Sequence, residues 1–336
     1  MGTCQVEMSQ SKSIFKKIKK HGWRNLPPAV LYRFKLLSGN IYRHLILRNK
    51  LVAHLFPFQQ PPILLLSYPR SGSSWVGDIL ASSQDIAYFF EPVTSPYQKY
   101  HQAPALADLS DPAVYRAYSE YSRNAFLGIP QKQRFPRDDW RGFSPLTRRN
   151  RRLLIKEVNP RAAAFYYRHY QPSIFFLVRH PAAVALSFWR MGWLSGADVQ
   201  MEAVLFDGDD WEKFGYAYGT LIRNALAALD ELSAPYKIVF YEQLALNPLQ
   251  EFKKIFQYMQ VELPENYEDV IREYCYTDTA VQGYHTRRLS AKMVSKWKHK
   301  LSPAEISKIR HAYLLSGLDF YRSDADWDTN LSDKAN

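Results

Sequence analysis

The chain has 336 residues, 46% of them hydrophobic and 15% aromatic, enough apolar material for a sizeable buried core and too much for a disordered protein. Forty-four Lys and Arg stand against 32 Asp and Glu, a net charge of +12, while only two cysteines, Cys4 and Cys275, argue against a disulfide framework. The excess charge is uneven: residues 1–60 hold 11 basic side chains and one acid, Glu7, whereas the remaining 276 hold 33 against 31.

Residues 1–60 read as a basic helical extension ahead of the first strand. Ile14, Phe15 and Ile18 share a face among Lys16, Lys17, Lys19 and Lys20, and Phe34, Leu37, Ile41 and Leu45 repeat at helical spacing. Over residues 12–50 such a segment can lie on an anionic membrane surface, where each nearby cation adds about 1 kcal/mol, or pack on the rest of the chain. Nucleic acid is the weaker partner, because no recognised binding module accompanies the charge. No run reaches the roughly 18–20 apolar residues of a transmembrane helix, and no apolar signal-peptide core is present. Val6 also stands where a myristoylation pattern at Gly2 needs Ser or Thr. A cytoplasmic protein is expected, with peripheral membrane attachment as an open alternative.

Leu64-Leu65-Leu66 then breaks into Ser67-Tyr68-Pro69-Arg70-Ser71-Gly72-Ser73-Ser74-Trp75, after which apolar residues resume at helical spacing. This predicts a strand over 62–66, an anion-binding loop and a helix. Backbone amides, the hydroxyls of Ser71, Ser73 and Ser74 and the cation Arg70 at a helix N-terminus make a phosphate site. An ATP- or GTP-binding P-loop would need a second glycine and a lysine, so an ATP-dependent kinase is disfavoured.

A second strand, 86–90, ends in Glu91-Pro92. An insertion follows over 93–152, rich in aromatic residues and closing on Arg148-Arg149-Asn150-Arg151-Arg152; it is expected to shape substrate access, and its arginines would suit an acidic acceptor. Tyr115, Tyr118 and Tyr121 fall at helical spacing, which suits packing. Strand 153–156 ends in Lys156. Strand 174–178 ends in Arg179, with Pro181 opening a helix and Ser187 eight residues beyond the arginine. The region from Trp189 to Trp211 carries no assignable role. Strand 236–240 leads into Tyr241-Glu242-Gln243-Leu244. Five buried strands separated by helical stretches predict an α/β fold, a central parallel β-sheet flanked by helices. In such sheets ligands bind at the carboxyl ends of strands, so Arg70, Glu91, Lys156 and Arg179 would share one crevice. The domain is expected over 61–325, with a tail at 326–336. His101, His169, His180 and His285 are dispersed, and no metal-ligand spacing occurs.

The loop Arg70-Ser71-Gly72-Ser73-Ser74 resembles the 5′-phosphosulfate loop of sulfotransferases that use 3′-phosphoadenylyl sulfate (PAPS; product PAP), a P-loop-like fold. Arg179 and Ser187 resemble the family's 3′-phosphate site, Tyr241-Glu242-Gln243-Leu244 its next landmark, and Arg287 with Arg288 loosely its closing loop. Glu91-Pro92 and its distance from Arg70 resemble the carbohydrate and tyrosylprotein branch. The resemblance covers roughly residues 60–320. It implies PAPS held by Arg70, Ser71, Gly72, Ser73, Ser74, Trp75, Arg179, Ser187, Tyr241, Arg287 and Arg288, without metal. It further implies Glu91 as the base, with Arg70 and Lys156 offsetting charge on the transferred group. The acceptor would be a hydroxyl on a carbohydrate or glycolipid, with a peptide tyrosine as the alternative. Outside enzymes the rival is a basic membrane or nucleic-acid adaptor that keeps the fold without the chemistry.

Overall fold

Runs of Leu, Ile and Phe five or six residues long can be buried on both faces of a sheet, and here they are. The computed structural model describes residues 42–130, 140–277 and 289–329. In it β1 (Ile63–Ser67), β2 (Ile86–Phe90), β3 (Arg152–Glu157), β4 (Ser173–Val178) and β5 (Tyr236–Phe240) form one parallel sheet in the spatial order β2-β3-β1-β4-β5. The register pairs Leu66 with Glu157, Phe90 with Lys156, Ser67 with Leu177 and Val178 with Phe240, so the carboxyl ends of the strands lie along one edge. The basic extension expected over 1–60 lies outside the described residues up to position 41, and so do Arg287 and Arg288.

Helices cover both faces. In chain order they are α1 (Lys50–Leu55), α2 (Ser73–Leu80), α3 (Thr94–His101), α4 (Pro112–Phe126), α5 (Ala163–Tyr170), α6 (Pro181–Arg190) and α7 (Ala197–Glu202). They continue with α8 (Asp210–Glu231), α9 (Tyr241–Leu246), α10 (Pro248–Tyr258), α11 (Tyr267–Cys275) and α12 (Pro303–Leu315). Side chains alternate along each strand between two cores. Ile63, Leu65, Phe175 and Leu177 point into a layer with Trp75 and Ile79 of α2 and Phe252 and Phe256 of α10. Leu64, Leu66, Phe176 and Val178 point into the other, with Tyr166 of α5, Val184 of α6, Tyr218 of α8 and Tyr313 of α12. No described helix is long and apolar enough to cross a membrane.

The insertion supplies α3 and α4. Tyr118 is fully buried in the core while Tyr115 is exposed, so the helical spacing of the tyrosines is largely a packing signal. Two arginines of the run, Arg148 and Arg152, are held inside the fold rather than on an acceptor-facing surface, while Arg149 is exposed. Arg148 is buried, donates to the Leu127 carbonyl and lies 4.5 Å over the Phe58 ring. Arg152 opens β3 and donates to the carbonyls of Pro61 and Met259 and to Ser173 Oγ. These guanidiniums satisfy main-chain oxygens at the amino-terminal edge of the sheet, away from the strand ends where ligands bind.

Candidate active site

At the end of β1 the chain turns through Arg70, whose φ of 68° is left-handed, and Gly72, at φ 98°, which caps α2. A Cβ on Gly72 would lie 2.6 Å from Cε2 of Tyr241, so only glycine fits under that ring. Gly72, Ser73 and Ser74 bring the N-terminus of α2 to the cavity, the two serines are buried, and Ser67 Oγ donates to Ser73 Oγ at 2.9 Å. Ser71 is fully buried rather than open to the crevice. The Trp75 ring packs at 5.3 Å from both Tyr241 and Phe252 and its indole N–H donates to the Tyr274 carbonyl, which commits that side chain to the core.

Arg179 follows β4 directly. Its guanidinium lies 4.1 Å over the Tyr241 ring and donates to the carbonyls of Arg70 and Met293 at 3.4 and 3.1 Å. It has no carboxylate partner among the described residues, and its buried Nε has no hydrogen-bond partner there. Arg70 Nε donates to Ser187 Oγ at 3.0 Å. Two strand-end arginines, a serine and a helix N-terminus thus converge on one space, a donor set that fits an anion.

Glu91, left-handed at φ 45°, sits where β2 ends. Its Oε1 pairs with Lys156 Nζ, its Oε2 accepts from Ser95 Oγ at 2.9 Å, and its main-chain N–H donates to Lys156 O at 2.8 Å. Lys156 is 2% exposed and its ammonium lies 4.2 Å over the Phe90 ring; Glu91 keeps 16% exposure. The next residue on β3, Glu157, is fully buried. Its carboxylate accepts from Val93 N at 2.6 Å, Thr94 N at 3.2 Å and Thr94 Oγ1 at 2.5 Å, tying down the turn after Glu91. Burial pushes the Glu157 pKa up to about 7, against the lowering effect of those hydrogen bonds.

Arg70, Gly72, Ser73, Ser74, Trp75, Glu91, Lys156, Arg179, Ser187 and Tyr241 all border one cavity of about 680 Å³. The cavity also has lining residues that sequence reasoning did not single out, Gln98 of α3, Gln102 and Asp198 of α7, together with Trp193 from the region to which it gave no role. Gln98 and Gln102 follow Glu91 at seven and eleven residues, a helical spacing that could have pointed to them. Nothing in the stretch around Asp198 signals its position.

A parallel sheet with an anion-binding strand–loop–helix and a strand-end carboxylate across the same cavity is the framework of a group-transfer enzyme. The chain belongs to the sulfotransferase domain family: the family model described as "Sulfotransferase domain" matches residues 60–318. No curated protein matches it. Among solved structures it is similar to the "Sulfotransferase Domain from the Curacin Biosynthetic Pathway", at 16% identity and a TM-score of 0.45, over 78% of this chain and 99% of that one. It is also similar to mouse sulfotransferase SULT7A1 complexed with PAP, at 16% identity and a TM-score of 0.42, over 83% and 92% of the two chains.

Proposed function

We propose that this sulfotransferase uses PAPS and sulfates a hydroxyl of a carbohydrate or glycolipid. The observation that carries the reading is the convergence, on one cavity, of the Arg70/Arg179/Ser187 anion site and the Glu91–Lys156 pair. Arg70, the α2 amides, Ser73 and Ser74 would hold the 5′ end of the nucleotide, and Arg179 with Ser187 its 3′-phosphate. PAPS, when bound, supplies an activated sulfuryl group. Glu91 takes the proton of the acceptor hydroxyl, a general-base contribution of roughly 10²–10⁴-fold. Ser95 and Lys156 fix both carboxylate oxygens beforehand. Once Glu91 is protonated its hold on Lys156 weakens, and that ammonium is left to offset negative charge at the reacting centre. Two amides and a carboxylate on the cavity wall suit an acceptor with several hydroxyls better than the single phenol of a peptide tyrosine.

The test is calorimetric titration of the full chain with PAP, 5′-AMP and ATP in EDTA. Binding of PAP at least tenfold tighter than 5′-AMP, reduced by Arg179→Ala, is expected, since a charge-assisted contact is worth about 1.5–3 kcal/mol. Equal binding of the two nucleotides would overturn the cofactor assignment. Glu91→Gln should keep PAP affinity within about twofold and cut sulfuryl transfer by roughly 10²–10⁴-fold. An adaptor with no chemistry would be indifferent to that substitution.

A further inference from the structure

The cavity has a second wall, made by α3, residues 102–105 and residues 192–198, that the anion site does not use. We infer that this wall is an acceptor subsite selective for an uncharged, polyhydroxylated ring over an anionic one; the inference rests on the sulfuryl-transfer reading above.

The wall begins at the proposed base. Ser95, which donates to Glu91, is followed one turn later on α3 by Gln98, and Gln102, the left-handed residue that caps the end of the helix, lines the same cavity. At 1.5 Å per residue α3 runs about 9 Å from Ser95 to its end at His101, a span nearer the length of a sugar than of a lone alcohol. Asp198 closes the far end. Its Oδ1 and Oδ2 accept from Leu106 N at 2.7 Å and Ala105 N at 3.3 Å, one amide each, so lone pairs remain for hydroxyl donors. Those amides are placed in turn by Asn159, which donates to the Ala107 carbonyl and to Tyr118 Oη at 3.0 Å. Gly192, Gly196 and Ala197 leave the adjoining surface open. The Trp193 ring, 43% exposed, stands 6.0 Å from the Arg70 guanidinium and offers a flat apolar face beside the donor site.

Amides that donate and accept, a carboxylate that accepts and an aromatic face together match the hydroxyls and the C–H face of a sugar. The charge pattern excludes acidic rings. Among the described residues the cations that line the cavity, Arg70, Lys156 and Arg179, all stand at strand ends, and Arg161 is paired with Glu202 of α7. Among the described residues no cation lines the cavity between Asp198 and a carboxylate or sulfate on the acceptor. Burial already raises the Asp198 pKa, so a second negative charge would add to an existing cost, whereas a hydroxyl donor would relieve it.

The experiment compares p-nitrophenyl β-glucoside with p-nitrophenyl β-glucuronide, which differ by a hydroxymethyl against a carboxylate, on the PAP-loaded full chain. Binding is read by calorimetry and transfer by initial rates with PAPS. The wild type should bind the glucoside at least about tenfold tighter, the like-charge penalty, and Asp198→Asn should bring the two within about threefold while PAP affinity is kept. Gln102→Lys, at an exposed position, should narrow the ratio independently should the Asp198 variant not fold. Equal binding of the two glycosides, binding of neither, or a ratio unchanged in a folded variant would overturn the subsite. Failure of the wild type to bind PAP would sink the sulfuryl-transfer reading instead, so the two failures are distinct.

Discussion

Arg70 and Glu91 hold left-handed backbone, at φ 68° and 45°, without the exemption glycine enjoys, and each such residue costs about 1–3 kcal/mol that the surroundings must offset. For Glu91 the restraints come from two consecutive residues of β3, the Lys156 carbonyl and ammonium on one side and the Glu157 carboxylate on the other. At Arg179 the restraint is Tyr218, fully buried on α8, whose hydroxyl donates to Arg179 O at 2.5 Å and accepts from Arg179 N at 3.3 Å. Tyr218→Phe leaves that buried peptide unit short of a partner, a loss of about 1–3 kcal/mol. Urea unfolding should register it, and the PAP affinity of the folded variant should fall several-fold because Arg179 is no longer held. Full affinity in Tyr218→Phe would mean that the Tyr241 ring and the carbonyls of Arg70 and Met293 position the arginine without Tyr218. Arg70, Glu91, Lys156 and Arg179 were legible in the sequence because a charge that ends an apolar run is visible without knowing the fold. Glu157 was not, since its partners Val93 and Thr94 lie more than sixty residues away and nothing local announces them.

Among the elements, the five strands were legible to within about one residue at their ends, and for β1, β2 and β4 the physical reason is that a strand buried on both faces is a continuous apolar run, whereas β5 is an edge strand with Lys237 exposed. The wall that carries Asp198 was not. Helix α7 has six residues, too few for a periodic pattern, and its carboxylate reads as an ordinary solvated charge until Ala105 and Leu106 are brought to it by the fold. The contact between α8 and α12 was equally hidden, although it fixes the helix that presents Tyr218. A Cβ on Gly215 would run into the carbonyl of Ile309, and one on Gly219 into the Ser316 side chain, so the two helices approach at a pair of glycines four residues apart. Gly215→Ala meets main chain, which cannot step aside as a side-chain tip can. Overpacking of this kind costs about 1–3 kcal/mol, net of any helix-propensity gain from alanine. Denaturant unfolding should show a lowered midpoint for Gly215→Ala, and an unchanged or raised one would mean that the helices can separate freely.

For the molecule as a whole, stability against pH is set in part by two buried groups that each follow a strand-end cation, Glu157 after Lys156 and His180 after Arg179. His180 caps α6, stacks on Trp297 at 4.4 Å, and has its pKa pushed down to about 3, first by burial and then by Lys298 and Arg179. It is neutral in the fold, so its contribution is present above its ordinary value of 6.5 and is lost as the pH falls toward 3. Glu157 acts with the opposite sign. Its pKa is raised from 4.5 to about 7, so its contribution is complete below 4.5 and is lost as the pH rises through 7. Glu157→Gln removes the second titration and leaves the first. The stability of the variant relative to wild type should therefore climb between pH 5 and pH 8, by on the order of 3 kcal/mol in the limit of the full shift. Urea unfolding of both proteins at pH 5, 6.5 and 8 measures that difference, and because every other group titrates alike in the two, it isolates Glu157. Parallel profiles would show that the amides of Val93 and Thr94 and the Thr94 hydroxyl already support a full negative charge on Glu157 at neutral pH. In that case the carboxylate would stiffen the Glu91 turn as an ion throughout, and Glu157→Gln would loosen the turn by the same amount at all three pH values, so that transfer by the variant relative to wild type would fall alike at pH 5, 6.5 and 8.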